Sequence, residues 1–207
     1  HENPHLYSVS YPSKPTRNSY SFIYGHKNTL HVEVVDFNTE KIYGTLLGMI
    51  YSTIENQFDL ELDSIEHIRR KLARFLKALP LSMNFHNRMK IAHCFIDYEN
   101  KTVDYVMMGG SILIVYKNGE HVFYNKKDID LKGNLLSKIT NISSTDICMI
   151  YLMNDMFESN SFRNRVINHL ISISNLPASQ QQVEIETTLK QIIESNKELV
   201  ITGIQIY

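Results

Sequence analysis

The side chains able to do chemistry are spread thinly along this chain. Asp128-x-Asp130 offers two carboxylates to a hard cation, but no further ligand stands at a suitable spacing, and a solvated loop is its plain reading. The nine histidines are scattered without the paired spacing of a metal motif. His93, next to Cys94 in a strand-like run, reads as a packed or hydrogen-bonded imidazole rather than a catalytic base. Arg69, Arg70, Lys71, Arg74 and Lys77 share one side of a helical segment, where they could dock an acidic partner or simply face solvent. A Gly-rich phosphate loop, a Ser-His-Asp order and a nucleophile elbow are all absent from the sequence.

These residues must be positioned by elements that the apolar pattern lays out. His1 to Asn18 carries three of the five prolines and reads as an extended lead-in. Ser19–Tyr24 and Thr29–Asp36 read as a hairpin around Gly25-His26-Lys27-Asn28; Leu30, Val32 and Val34 alternate with His31, Glu33 and Val35, so one face is core. Two helices follow, over about Tyr43–Gln57 and from Ser64 to near Pro80. In the first, Gly44 and Gly48 lower helix propensity, for which close packing against a neighbour is the sensible reason. Lys90–Asp97, Thr102–Met108, Ser111–Lys117 and Glu120–Tyr124 predict an antiparallel meander, with Asn118-Gly119 its clearest turn. Ile147–Met153 is apolar throughout and predicts a strand buried on both faces. Helices over Phe162–Ile173 and Ser179–Ser195 and a last strand, Leu199–Tyr207, complete the pattern.

A doubly buried strand within antiparallel hairpins needs a second sheet on one side and helices on the other. The predicted class is therefore α+β, a four-layer helix/sheet/sheet/helix sandwich with antiparallel sheets. A doubly wound parallel fold fits less well, because four consecutive strands lack helical crossovers.

The bulk properties narrow the functions. With 207 residues the chain suits one well-buried domain. A formal net charge of -1 supplies no field to attract nucleic acid, so none is expected as a partner. The longest apolar runs fall far short of the roughly 20 residues that cross a bilayer, so no membrane association is expected. Cys94 and Cys148 read as buried free thiols of a reducing, cytoplasmic setting. Sequons at Asn100 and Asn141 follow no signal peptide and do not change that expectation. The start at His1 suits a piece, the C-terminal part, of a longer signalling protein.

Several local matches, in order, resemble the bacterial SpoIIE-like type 2C phosphatases, metal-dependent enzymes that dephosphorylate phosphoserine. The family's Tyr-x-Pro lead-in is matched by Tyr11-Pro12 and its Gly-Gly-Asp-Phe-Tyr by Ser19-Tyr20-Ser21-Phe22-Ile23, which puts Ser21 at the first metal-binding aspartate. Its strand ending in Asp, followed by Val-Ser-Gly-His-Gly, is matched by Asp36 and Phe37-Asn38-Thr39-Glu40-Lys41. Tyr105-Val106-Met107-Met108-Gly109-Gly110 resembles Tyr-x-Asn-Ala-Gly-His, and Met149 to Met153 running into Asn154-Asp155-Met156 resembles the strand before Thr-Asp-Gly. The terminal Asp-Asp-Ile-Thr is replaced by Leu199-Val200-Ile201-Thr202.

The resemblance implies residues 1–18 as lead-in, a phosphatase-like domain over 19–207, and Asp36 and Asp155 as the surviving metal ligands. Two adjacent Mn²⁺ or Mg²⁺ ions need several carboxylates to offset their repulsion, so two aspartates can hold at most one weakly bound ion, and both also suit turn caps after strands. Glu40 is either a substitute carboxylate or a charge at a helix entry. The expectation is a domain without catalysis and without a cofactor, or with Mg or Mn if any. It binds a protein partner, a signalling or sigma-factor regulator, through Arg69, Arg70 and Arg74. A homodimer is compatible with it. The alternatives are an active, divergent Mn/Mg-dependent phosphoserine phosphatase, and an unrelated αβ scaffold with a similar pattern.

Overall fold

The computed structural model describes residues 5–11, 17–55, 64–79, 89–125, 137–154, 159–192 and 198–206. In chain order these give β1 (Leu6–Tyr11), β2 (Ser19–His26), β3 (Thr29–Asp36), α1 (Lys41–Glu55), α2 (Ser64–Ala78), β4 (Lys90–Asp97), β5 (Thr102–Met108), β6 (Ser111–Tyr116) and β7 (His121–Asn125). They continue as β8 (Ser137–Ser143), β9 (Ile147–Met153), α3 (Asn160–Ile173), α4 (Ala178–Ile192) and β10 (Leu199–Gln205).

The strands form two antiparallel sheets, ordered β1-β10-β9-β6-β7 and β2-β3-β4-β5-β8. Period-two alternation decides what each face meets. From β3, Leu30, Val32 and Val34 point between the sheets and join Cys94, Ile96, Ile112, Ile114, Ile150 and Leu152 in the central core. From β9, Met149, Tyr151 and Met153 point outward, where Val166, Leu170, Ile185 and Leu189 of α3 and α4 cover them. On the other side α1 and α2 cover the β2-β3-β4-β5-β8 sheet with Leu47, Tyr51, Ile68 and Phe75. The four-layer sandwich and the doubly buried β9 are as the apolar pattern predicts.

The structure differs from the sequence reading in three places. The four strands β4 to β7 are not one meander. The pair β4–β5 lies in one sheet and β6–β7 in the other, and Gly109-Gly110 carries the chain between them. Gly109 has φ +78, a left-handed conformation that glycine adopts without a Cβ penalty, and its missing Cβ would meet Lys90 Cγ at 2.9 Å. Within the lead-in, Leu6–Tyr11 is a paired strand: Tyr7 and Val9 alternate into the core, and β1 aligns antiparallel to β10 with Ser8 opposite Thr202. The polar stretch after β7 contains β8, which closes the second sheet beside β5.

The two helical glycines do permit close packing. A Cβ on Gly48 would lie 2.7 Å from the Tyr20 ring, and one on Gly44 would lie 2.8 Å from the Arg17 carbonyl oxygen, so α1 sits directly on β2 and the segment before it.

Candidate functional site

At one end of the space between the sheets, five strands deliver polar side chains. Ser21 pairs with Val34 and Ser19 with Asp36, so both serines and the aspartate share the inward face of the β2–β3 pair. From the facing sheet come Thr202 of β10, Ser8 of β1 and Asn154 just beyond β9. Ser21 Oγ lies 2.6 Å from Thr202 Oγ1, which donates to Ser8 Oγ at 3.2 Å. A hydroxyl has one proton to give, so Ser21 donates to Thr202 and the three form a directed chain. Asn154 uses both ends of its amide. Its Nδ2 donates to Ser19 Oγ at 3.1 Å and to the Glu198 carbonyl at 2.9 Å, while Oδ1 accepts the Val200 N–H at 2.8 Å. Ser19, Asn154 and Thr202 are buried, and this neutral network bridges the two sheets.

Among the described residues, the Asp36 and Glu198 carboxylates near this end are engaged locally. Asp36 Oδ1 accepts the Asn38 N–H at 2.8 Å, with Asn38 at φ +46, an aspartate-capped turn. The Glu198 carboxylate accepts the Asn18 N–H at 2.9 Å. Glu40 is exposed at the entry to α1, where its carbonyl accepts the Gly44 N–H.

A second polar assembly lies on the opposite, helix-covered face of the same sheet. Glu33 of β3 sits beside Lys71 of α2, with Nζ 2.6 Å from Oε2 and both side chains at 0% exposure. Tyr51 of α1 donates its hydroxyl to Glu33 Oε1, and its ring lies 3.9 Å from the Lys71 ammonium. Burial alone would raise the Glu33 carboxyl; the Lys71 charge and hydrogen bond, with the Tyr51 hydroxyl, outweigh it and hold it below its ordinary value. His31, His67 and His93 are stacked alongside, His31 Nδ1 lying 3.1 Å from His93 Nε2. Burial, then the neighbouring imidazoles, hold His67 down at about 2 and His93 well below its ordinary value, so both are neutral.

Among solved structures the chain is similar to the phosphatase domain of SiaA from Pseudomonas aeruginosa, with a TM-score of 0.76 and 15% identity over 99% of this chain and 86% of that one. It is also similar to RsbX in complex with magnesium (TM-score 0.65, 15% identity, 99% and 98% covered). A third likeness is to the phosphatase domain, with a fragment of the regulatory domain, of the cell-fate determinant SpoIIE from Bacillus subtilis (TM-score 0.71, 6% identity, 97% and 63% covered). The fold is that of a SpoIIE-like type 2C phosphatase domain. No family model matches the sequence, and no curated protein matches it either.

The polar end between the sheets is therefore the place to test for the Mn²⁺ or Mg²⁺ ions that the type 2C resemblance implies. Hard cations a few ångströms apart need carboxylate oxygens. The position expected for the first aspartate holds Ser21, committed to Thr202; the terminal pair is Leu199 and Val200, both buried and apolar. Among the described residues, a chain of hydroxyls and an amide engaged at both ends do not fit a two-metal cluster. Asp36 stands at this end, whereas Asp155, Asp128 and Asp130 lie outside the described residues. On α2, Arg69, Arg70 and Arg74 are exposed, Arg70 pairing with Glu66 at 2.8 Å.

Lys71 is a correction: it leaves the exposed basic row and points inward, because Glu33 offers the charge that a buried ammonium needs. The histidines are another. Spacing along the sequence hid a cluster that β3, α2 and β4 each supply with one imidazole. The available signal was the alternation in β3, which puts His31 and Glu33 on one face, together with His67 and Lys71 four apart on a helix. His93 is hydrogen-bonded, as expected.

Proposed function

We propose that this chain is a catalytically degenerate phosphatase-like domain that acts by binding a protein partner in bacterial signalling. The observation that carries the reading is the Ser21–Thr202 hydroxyl pair at 2.6 Å, set where the resemblance calls for metal-binding carboxylate. A neutral pair that close has no oxygen charge to offer a dication, and the amide of Asn154 braces the neighbouring strands without needing one. The scaffold is kept, so what it retains is shape and surface. The exposed Arg69, Arg70 and Arg74 on α2 suit an acidic protein surface.

NMR of the full chain with millimolar Mn²⁺ tests this at the site itself. The Asn154 side-chain amide is expected to broaden no more than amides elsewhere. Selective broadening of Asn154 and of the Ser21 backbone amide would place Mn²⁺ between the sheets and favour the active, divergent phosphatase.

A further inference from the structure

The three buried histidines lie away from the polar end between the sheets. His31 and His93 project from β3 and β4 on the face turned toward the helices, and His67 comes down from α2. Ring centroids are 4.5 Å apart for His31–His67, 5.2 Å for His31–His93 and 5.3 Å for His67–His93. One nitrogen from each can be chosen so that all three lie within 4.8 Å of one another. All three side chains are fully buried.

We propose that His31, His67 and His93 bind one Zn²⁺ ion between α2 and the β2-β3-β4-β5-β8 sheet. Two nitrogens on a tetrahedral zinc, with bonds of about 2.0–2.1 Å, stand about 3.3 Å apart. His31 Nδ1 and His93 Nε2 are already at 3.1 Å. His67 supplies the third nitrogen of a set whose members lie within 4.8 Å of one another, so movements of about 1.5 Å or less bring the three imidazoles to tetrahedral spacing. With Nε2 on zinc, His93 carries its proton on Nδ1, a buried atom with no hydrogen-bond partner, so the site lacks the outer acceptor that a ligating imidazole normally has. The Tyr24 hydroxyl is hydrogen-bonded to His67 Nε2 and holds that ring in place.

Donor chemistry selects the ion. Imidazole nitrogen suits zinc and its neighbours in the transition series, while Mg²⁺ and Mn²⁺ prefer oxygen. The Lys71 ammonium is the obvious objection, but Glu33 neutralises it at 2.6 Å, so the neighbouring pair presents a dipole and not a net charge. Bound there, zinc ties a helix to two central strands, a structural role in which metal binding adds to folding stability. The inference is independent of whether the chain is a phosphatase.

The test loads the full chain two ways, by expression with supplemented zinc and by refolding from urea with ZnCl₂, because a fully enclosed site fills most readily before α2 docks. One zinc per chain is expected after gel filtration. A melting temperature roughly 5 to 10 °C above that of chelator-treated protein is expected at a hundredfold excess over Kd. Refolding with CoCl₂ should give the visible absorption of tetrahedral Co²⁺. His67→Gln and His93→Gln, each checked for native circular dichroism, should retain less than about a tenth of the zinc. If neither variant folds, the wild-type melting shift and cobalt spectrum decide. No zinc retained and no shift would overturn the proposal, as would undiminished zinc in a folded variant.

Discussion

Two fully buried charges define the residue scale. Glu33 and Lys71 satisfy each other, so removing one strands the other in a dry interior. Lys71→Met should cost about 3–5 kcal/mol in urea unfolding, and Glu33→Leu added to it should recover most of that loss. Additive losses would show that the pair is not coupled. The same assembly sets a pH dependence. Folded His67 and His93 stay neutral far below pH 6.5, while the unfolded chain takes up protons near the ordinary histidine value. The unfolded state then binds more protons, so stability falls on acidification. Between pH 7 and pH 5, with a chelator present, the loss should be about 2–4 kcal/mol. His67→Gln should reduce that slope. Glu33, whose carboxyl is held low, contributes stability above its ordinary value that is lost only as the pH falls through the lower folded value.

At the scale of elements, α1 is held against β2 by the absence of a side chain. Gly48→Ala gains about 1 kcal/mol of helix propensity but drives a methyl group into the Tyr20 ring, so a net loss of about 1–3 kcal/mol is expected in the unfolding free energy. A stabilised variant would mean that the helix can shift away at little cost. This contact also shows what the sequence made legible. Gly44 and Gly48 lie four apart in an apolar helical pattern, and their cost in helix propensity pointed to a close neighbour. The doubly apolar Ile147–Met153 run likewise implied cover on both faces, and hence the sandwich. The exchange between sheets at Gly109-Gly110 was not legible, because a glycine pair suits a tight hairpin as well as a crossing. Nor was the histidine cluster, whose members His31, His67 and His93 stand 36 and 26 positions apart on three different elements. Lys71 was misplaced because a lysine among arginines on a helix normally faces water, and only the register of α2 over Glu33 turns it inward.

For the whole molecule, the scaffold and the chemistry separate. Three contiguous hydrophobic clusters fill the spaces between the four layers, and they depend on alternation and helical stripes that tolerate wide sequence change. The polar end between the sheets depends on a few side chains. There Ser21, Thr202 and Ser8 form a hydrogen-bonded chain, and Asn154 joins the ends of β2, β9 and β10, so protein hydrogen bonds bridge the strand ends. Asp36 caps the turn after β3, a role that asks nothing of catalysis. The measurement that bears most directly on this account is hydrolysis of a phosphoserine peptide by the purified full chain with millimolar Mn²⁺. The expected rate is no greater than background and is unchanged by Asp36→Ala. Turnover in the ordinary enzyme range, about 1 per second or above, that Asp36→Ala abolishes would contradict it.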